Sequence, residues 1–188
     1  MTGSYKLNMP PVGDTGADPE TSALFEAARD ALGFVPNTYR GMARAPALLE
    51  TYRLGYGLVR AGSFTGPEQE VIFLTVSLMN DCDYCVGAHS ALAIEDFGLA
   101  AEHVEALRSG ETLSDARLEA LRAFTVEMVR TAGQPRADVA EAFLSAGYSE
   151  AQMFEVILAI SLKMLSNFAG RLGTPEPDER FRPYVPDT

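Results

Sequence analysis

Two stretches, 71–79 and 153–168, are apolar almost all the way round at helical spacing. Each follows a helix-opening signal, Thr65-Gly66-Pro67-Glu68 in one case and Ser149-Glu150-Ala151-Gln152 in the other. A helix without a polar face must be buried at the centre of a domain or in a subunit interface. The remaining chain therefore has to supply elements that surround these two. Those elements also read as helices. Period-two alternation is scarce, and valines and isoleucines fall inside long stretches of helical periodicity. The expected fold class is all-α.

Helix punctuation divides the chain. Asp18-Pro19-Glu20 offers an N-cap, an N1 proline and an early acid, and Gly33 closes that segment. Further helices are expected over 46–60, ending at Gly62, and from Thr65 to about 79. Asn80-Asp81 suits the N-cap of a fourth, which ends before Gly98. Others follow over 100–108, from Ser114-Asp115 to 131, over 137–146, and from Ser149 to about 172. The resulting organisation is an N-terminal arm (1–17), a helical domain (18–173) and a Pro-rich tail (174–188). Both arms are expected to be disordered or to wrap a neighbouring subunit. Glu70-Val71-Ile72 and Glu155-Val156-Ile157 follow equivalent capping signals, a faint sign of a duplicated hairpin.

Length and charge narrow the function. The chain has 188 residues, 47% of them apolar, enough for one domain with a core that needs no disulfide staple. The net charge is 15 − 26 = −11. An acidic chain without a basic patch repels phosphate backbones and anionic membrane surfaces, so neither nucleic acid nor a membrane is an expected partner. The first residues lack the apolar core of a signal peptide, and the uninterrupted apolar runs are too short to span a bilayer. The expected compartment is the reducing cytoplasm. There a CxxC pair reads as catalytic, redox-sensing or metal-binding rather than as a structural bridge.

The only two cysteines form such a pair, Cys82-Asp83-Tyr84-Cys85, with His89 four residues further on. On one helix Cys85 and His89 share a face, so the imidazole can act as a base toward the thiol. A helix N-terminus at Asn80 or Asp81 would favour a thiolate, while the carboxylates of Asp81 and Asp83 oppose it. A base needs an orienting partner, and Glu70 is a candidate. On a continuous helix Glu70 would lie roughly 18 Å from Cys82, out of reach. If the chain reverses at Asn80-Asp81, Glu70 and His89 can meet, and Ser77 points toward the same cleft. A structural zinc site needs four ligands. Cys82, Cys85, His89 and His103 are the only thiols and imidazoles, and His103 lies past Gly98, so no metal or other cofactor is expected.

Glu70, eleven residues, Cys82-x-x-Cys85, three residues and His89 resembles the active-site signature of the AhpD-like alkylhydroperoxidases, in the wider carboxymuconolactone decarboxylase superfamily. The run Asn80-Asp81-Cys82-Asp83-Tyr84-Cys85 and the apolar helix before it fit the same resemblance, which is specific over 67–95. It implies an all-helical domain built around a hairpin carrying CxxCxxxH and assembling as a dimer, trimer or hexamer. It implies that Cys85 attacks a hydroperoxide, that Cys82 resolves the product as a disulfide, and that Glu70 and His89 form a proton relay. A dithiol reductant would reset the pair. Tyr84 is a departure, since some members carry histidine there. Two other readings stand beside this one: a carboxymuconolactone decarboxylase-like small-molecule enzyme, and a non-enzymatic helical oligomer whose cysteines sense oxidation. Glu70 favours an enzyme, because a sensor has little need of a carboxylate–imidazole pair.

Other residues read as structural. Ser77 is a small packing residue and Tyr84 a pocket wall. Met79, Met128, Met153, Phe154 and Phe168 are expected in the core. Lys163, Asn167 and Arg171, at i, i+4 and i+8, make a polar stripe with two readings: one that lines the cleft or binds an anionic substrate group, and the favoured one, a solvated or inter-subunit stripe.

Overall fold

The structure, a computed structural model, describes residues 5, 7–15 and 17–186. Positions 1–4, 6 and 16 of the expected N-terminal arm and 187–188 of the expected tail lie outside the described residues. The described residues contain helices and no strands. The helices are α1 (Pro19–Leu32), α2 (Asn37–Met42), α3 (Pro46–Arg60), α4 (Gly66–Met79), α5 (Asp83–Glu95), α6 (Ala101–Ser109), α7 (Ala116–Arg130), α8 (Ala137–Ser145) and α9 (Glu150–Gly173).

Local chemistry sets most of their ends. Asp18 accepts from the Thr21 backbone N–H at 2.9 Å, and Gly33, at φ 81°, closes α1 in the left-handed region. Reciprocal capping boxes open α4 at Thr65/Glu68 and α9 at Ser149/Gln152. The short α2 has no side-chain cap, which is why its sequence reads as a connector. The start of α5 differs from expectation. Cys82 itself occupies the N-cap position, because Asp81 is drawn into the left-handed region at φ 47°.

Helix α4 is the central element. Every residue from Glu68 to Ser77 is buried, and the helix packs against α3, α5, α6, α7 and α9. Phe73 is fully enclosed; truncating such a ring to alanine costs roughly 3–5 kcal/mol. Helix α9 is only half enclosed. Val156, Ala159, Leu162, Lys163, Ser166, Asn167 and Gly170 form its inner row. Phe154 and Phe168 face outward, 74% and 61% exposed, contrary to their expected place in the core. They stand beside outward-facing Ile157, Leu158 and Leu172 and the exposed Leu54 and Leu58 of the neighbouring α3. By length and composition alone α9 could cross a membrane, but its inner row carries the polar Lys163, Ser166 and Asn167 against the core.

The described segment after α9 packs against its own chain. It folds back on α5 of its own chain, where the 3-10 turn Arg182–Tyr184 rests. Phe181 packs edge-on to Tyr84 and Phe34, with centroids 6.2 and 5.8 Å apart. Val185 approaches Gly87 so closely that a β-carbon there would stand 3.2 Å from the Val185 backbone. Arg180 reaches Glu95 and Asp96 at 2.9 and 2.5 Å. At the other end, Asp14 pairs with Arg29 and Arg40.

Candidate active site

The reversal between α4 and α5 happens at Asn80-Asp81. The Asp81 and Cys82 backbone N–H groups both turn back to α4, donating to the Leu78 and Ser77 carbonyls at 3.1 Å each. Helix α5 then returns along α4. Glu70 and His89, nineteen positions apart, meet across this hairpin, with 2.8 Å between His89 Nδ1 and Glu70 Oε2. Both side chains are buried, Glu70 completely.

The second oxygen of Glu70 accepts from Arg60 Nη2 at the end of α3, and the same nitrogen reaches the Tyr56 hydroxyl. Arg60 Nη1 donates to Gln69 Oε1 at 2.8 Å, and the guanidinium carbon lies 3.8 Å from the Phe97 ring centroid. Burial would raise the Glu70 carboxyl, but His89 and Arg60 outweigh it and hold it below the usual range. Burial, and then the charge of Lys163, push His89 down to about 4 against the pull of Glu70. The pair at neutral pH is therefore a carboxylate and a neutral imidazole. With Glu70 ionised, the tautomer that satisfies the contact carries its hydrogen on Nδ1 and donates it, leaving Nε2 as the basic nitrogen.

Cys82 and Cys85 are joined in a disulfide, with Cα atoms 5.2 Å apart. Cys85 lies in the first turn of α5, where backbone N–H groups are unpaired and the helix dipole favours negative charge. The opposing carboxylates have little leverage. Asp83 is exposed, and Asp81 is 82% exposed and paired with Arg171 at 3.1 Å. The sulfurs are enclosed from the other side by α9. A β-carbon on Gly170 would lie 2.9 Å from Cys82 Sγ and 3.5 Å from Cys85 Sγ. Cys85 Sγ is 3.9 Å from the Ser166 carbonyl oxygen.

Cys85 and His89, with Arg60, open onto a cavity of about 610 Å³. Its walls are strongly aromatic, with Tyr39, Tyr52, Tyr56, Tyr84, Phe97 and Phe181 among them. Of the two cysteines only Cys85 lines it. Tyr84 is a wall residue, and its hydroxyl donates to Asp178 Oδ2 at 2.5 Å, which fastens the C-terminal segment beside the cysteines.

The stripe on α9 is not a solvated one. Lys163 is 1% exposed and lines the cavity, and Asn167 is fully buried. Only Arg171 reaches the surface. Asn167 Nδ2 donates to Ser77 Oγ at 3.3 Å, and Asn167 Oδ1 accepts from Asn80 at 3.0 Å, bracing the hairpin turn. Ser77 in turn donates to the Phe73 carbonyl at 2.7 Å and does not line the cavity. Burial, with Arg60 adding to it and Glu70 opposing, lowers the Lys163 ammonium to about 7. Among the described residues no group of three or more histidines, cysteines and acids clusters as a metal site.

Arg60 has no role in the sequence reading, and Lys163 has one only under the less favoured reading of its stripe. Arg60 stands there only as the end of a helix. Lys163 is the single cation within the apolar stretch 153–168, a signal of an enclosed charge that its spacing to Asn167 and Arg171 masks.

Residues 46–127 match the Carboxymuconolactone decarboxylase family. No curated protein is similar enough in sequence to match. Among solved structures, the chain is similar to an uncharacterized peroxidase-related protein from Silicibacter sp. TM1040, with TM-score 0.77 and 23% identity over 94% of this chain and 93% of that one. It is similar to an uncharacterized peroxidase-related protein from Ralstonia eutropha JMP134, described as an alkylhydroperoxidase AhpD core, with TM-score 0.79 and 22% identity over 92% and 93%. It also has the fold of the debrominase Bmp8, solved with 2,3,4-tribromopyrrole, with TM-score 0.78 and 18% identity over 97% of both chains. The region that matches the Carboxymuconolactone decarboxylase family contains Arg60, Glu70, both cysteines and His89, and the fold is shared with the AhpD-like structures over nearly the whole length.

Proposed function

We propose that the protein is a thiol-dependent peroxidase that reduces organic hydroperoxides through Cys85 and Cys82. The observation that carries this reading is the contact between Glu70 and a neutral His89, one helical turn from the cysteine that lines the cavity. In the reduced enzyme His89 takes the Cys85 thiol proton, and Glu70 stabilises the imidazolium that forms. The thiolate attacks the nearer oxygen of the hydroperoxide, and the O–O bond breaks. Cys85 becomes a sulfenic acid, and the departing alkoxide takes the proton from His89 and leaves as an alcohol. Cys82 then attacks the Cys85 sulfur, water leaves, and the disulfide closes. In sum, one hydroperoxide and two thiols give one alcohol, one water and one disulfide. An external dithiol, the partner expected in a reducing cytoplasm, restores the thiols by exchange.

The test is consumption of cumene hydroperoxide with a dithiol in excess. The parent protein should turn over, and Cys85→Ser should not. Equal rates in the two would sink the mechanism.

The size and aromatic walls of the cavity favour one second reading, reductive chemistry on a ring, as the shared fold with Bmp8 suggests. A brominated arene and two thiols would give the debrominated arene, hydrogen bromide and the disulfide. Bromide release from 2,3,4-tribromopyrrole, compared with hydroperoxide consumption at equal enzyme, separates the two.

A further inference from the structure

We propose that the substrate is an apolar organic molecule bearing one carboxylate, and that Lys163 is the group that receives it. This names a substrate class for the peroxidase site and takes its redox chemistry from that reading.

The cavity is far larger than hydrogen peroxide requires. At about 610 Å³ it matches the range of sites that enclose drug-sized organic molecules. Its aromatic walls suit a flat or alkyl-aryl body. The charged groups around it are already paired, with one exception. Arg60 is taken up by Glu70, Tyr56 and Gln69. Glu70 spends its two oxygens on Arg60 and His89. Those three groups sum to zero charge when the imidazole is neutral.

Lys163 remains. It is 1% exposed, faces the same cavity, and has no carboxylate within ion-pair distance among the described residues. Its Nζ lies over the Phe73 ring, 5.8 Å from the centroid. A buried ammonium without a counter-charge is costly to keep, and an aromatic face compensates only a small part of that cost. One bound anion completes the balance. A single lysine, with three donors on a compact charge, suits a monoanionic carboxylate. A phosphate dianion would call for planar forked donors, and the two terminal nitrogens of Arg60 are already taken by Glu70, Tyr56 and Gln69. A molecule so held would place its remaining atoms beside Cys85 and His89, which line the same space.

Calorimetry on the disulfide form at about pH 6.5, where Lys163 is mostly charged, tests this without turnover. The probes are 3-phenylpropionate and its amide, alike in shape and different in charge. The parent should bind the acid at least about tenfold more tightly than the amide. Lys163→Met should abolish that preference while still binding the amide, and Lys163→Arg should recover part of it. The proposal is overturned if the parent binds acid and amide alike, if neither binds at millimolar concentration, or if Lys163→Met keeps the preference. If neither probe binds and the Lys163→Met effect is confined to the pH dependence of Cys85 alkylation in the reduced protein, the lysine is a counter-charge to the thiolate instead. The peroxidase reading stands or falls separately on cumene hydroperoxide, which carries no charge.

Discussion

Gly170 on α9 rests directly on Cys82, leaving only 2.9 Å between its would-be β-carbon and the sulfur. Alanine normally strengthens a helix interior relative to glycine by about 0.5–1 kcal/mol. Here it would push α9 off the disulfide, an overpacking that costs ~1–3 kcal/mol. Gly170→Ala should therefore lower the melting temperature and slow peroxide consumption about tenfold. A melting temperature above that of the parent, with unchanged turnover, would mean that α9 does not press on the sulfurs.

Replacing Glu70 with glutamine keeps the shape and removes the charge. The imidazolium formed during thiol deprotonation then loses its stabiliser, and kcat/KM should fall by about 10²–10⁴. Arg60 is left buried without its anion, so stability should drop by roughly 3–5 kcal/mol in urea titrations. Loss of activity at full stability would show that the buried Arg60–Glu70 pair is weaker than its geometry indicates.

Lys163 should give the protein a distinctive alkaline response. Its ammonium is lowered from 10.5 to about 7 in the folded state, so between those values the unfolded chain binds more protons than the folded one. Stability must then rise with pH through that window, by about 2 kcal/mol from near pH 7 to near pH 9. Lys163→Met removes the slope and should be more stable than the parent at neutral pH. Denaturant midpoints of both proteins at the two pH values provide the comparison.

On the acid side the governing group is His89. Its folded value of about 4 lies below the 6.5 of an unperturbed imidazole. Its contribution is complete above about pH 6.5 and is lost as pH falls toward 4, because the unfolded chain takes up the proton first. Peroxide turnover should fade only as pH falls through about 4, where the basic nitrogen of the folded protein becomes occupied. Activity undiminished at about pH 4 would remove His89 from the role of base.

The outward row of Leu54, Leu58, Phe154, Ile157 and Phe168 is too apolar to face water alone, and a second copy of the chain is its expected cover. The mass in solution should exceed 20.3 kDa, and Leu58→Glu with Phe154→Glu should bring it toward the monomer. Sedimentation at micromolar concentration reads this directly, and a parent that already sediments as a monomer removes the expectation.

The helices were legible in the sequence because their ends are local chemistry. Asp18, Thr65, Asp115 and Ser149 all cap where their side chains predict. Helix α2 was not, since its N-cap residue Pro36 has no side-chain acceptor and its first N–H is held by the distant Asp178 carboxylate at 3.2 Å. The Glu70–His89 contact followed from spacing plus one chain reversal. Arg60 could not follow in that way: its partnership with Glu70 depends on how α3 crosses α4, which no local signal records. Lys163 was misplaced for a related reason. Helical spacing groups it with Asn167 and Arg171, but the inner row of α9 turns away from solvent before it reaches Arg171. Phe154 and Phe168 show the converse, apolar side chains that periodicity assigns to a core lying instead on an open face.

The base at His89 depends on groups drawn from α3, α4, α5 and α9, more than a hundred residues apart along the chain. For protein engineering, the cysteine–histidine motif is consequently not a portable part. Grafted onto another helix it would carry two thiols and an imidazole, but neither the buried carboxylate that fixes the tautomer nor the neighbouring cations that keep the ring uncharged.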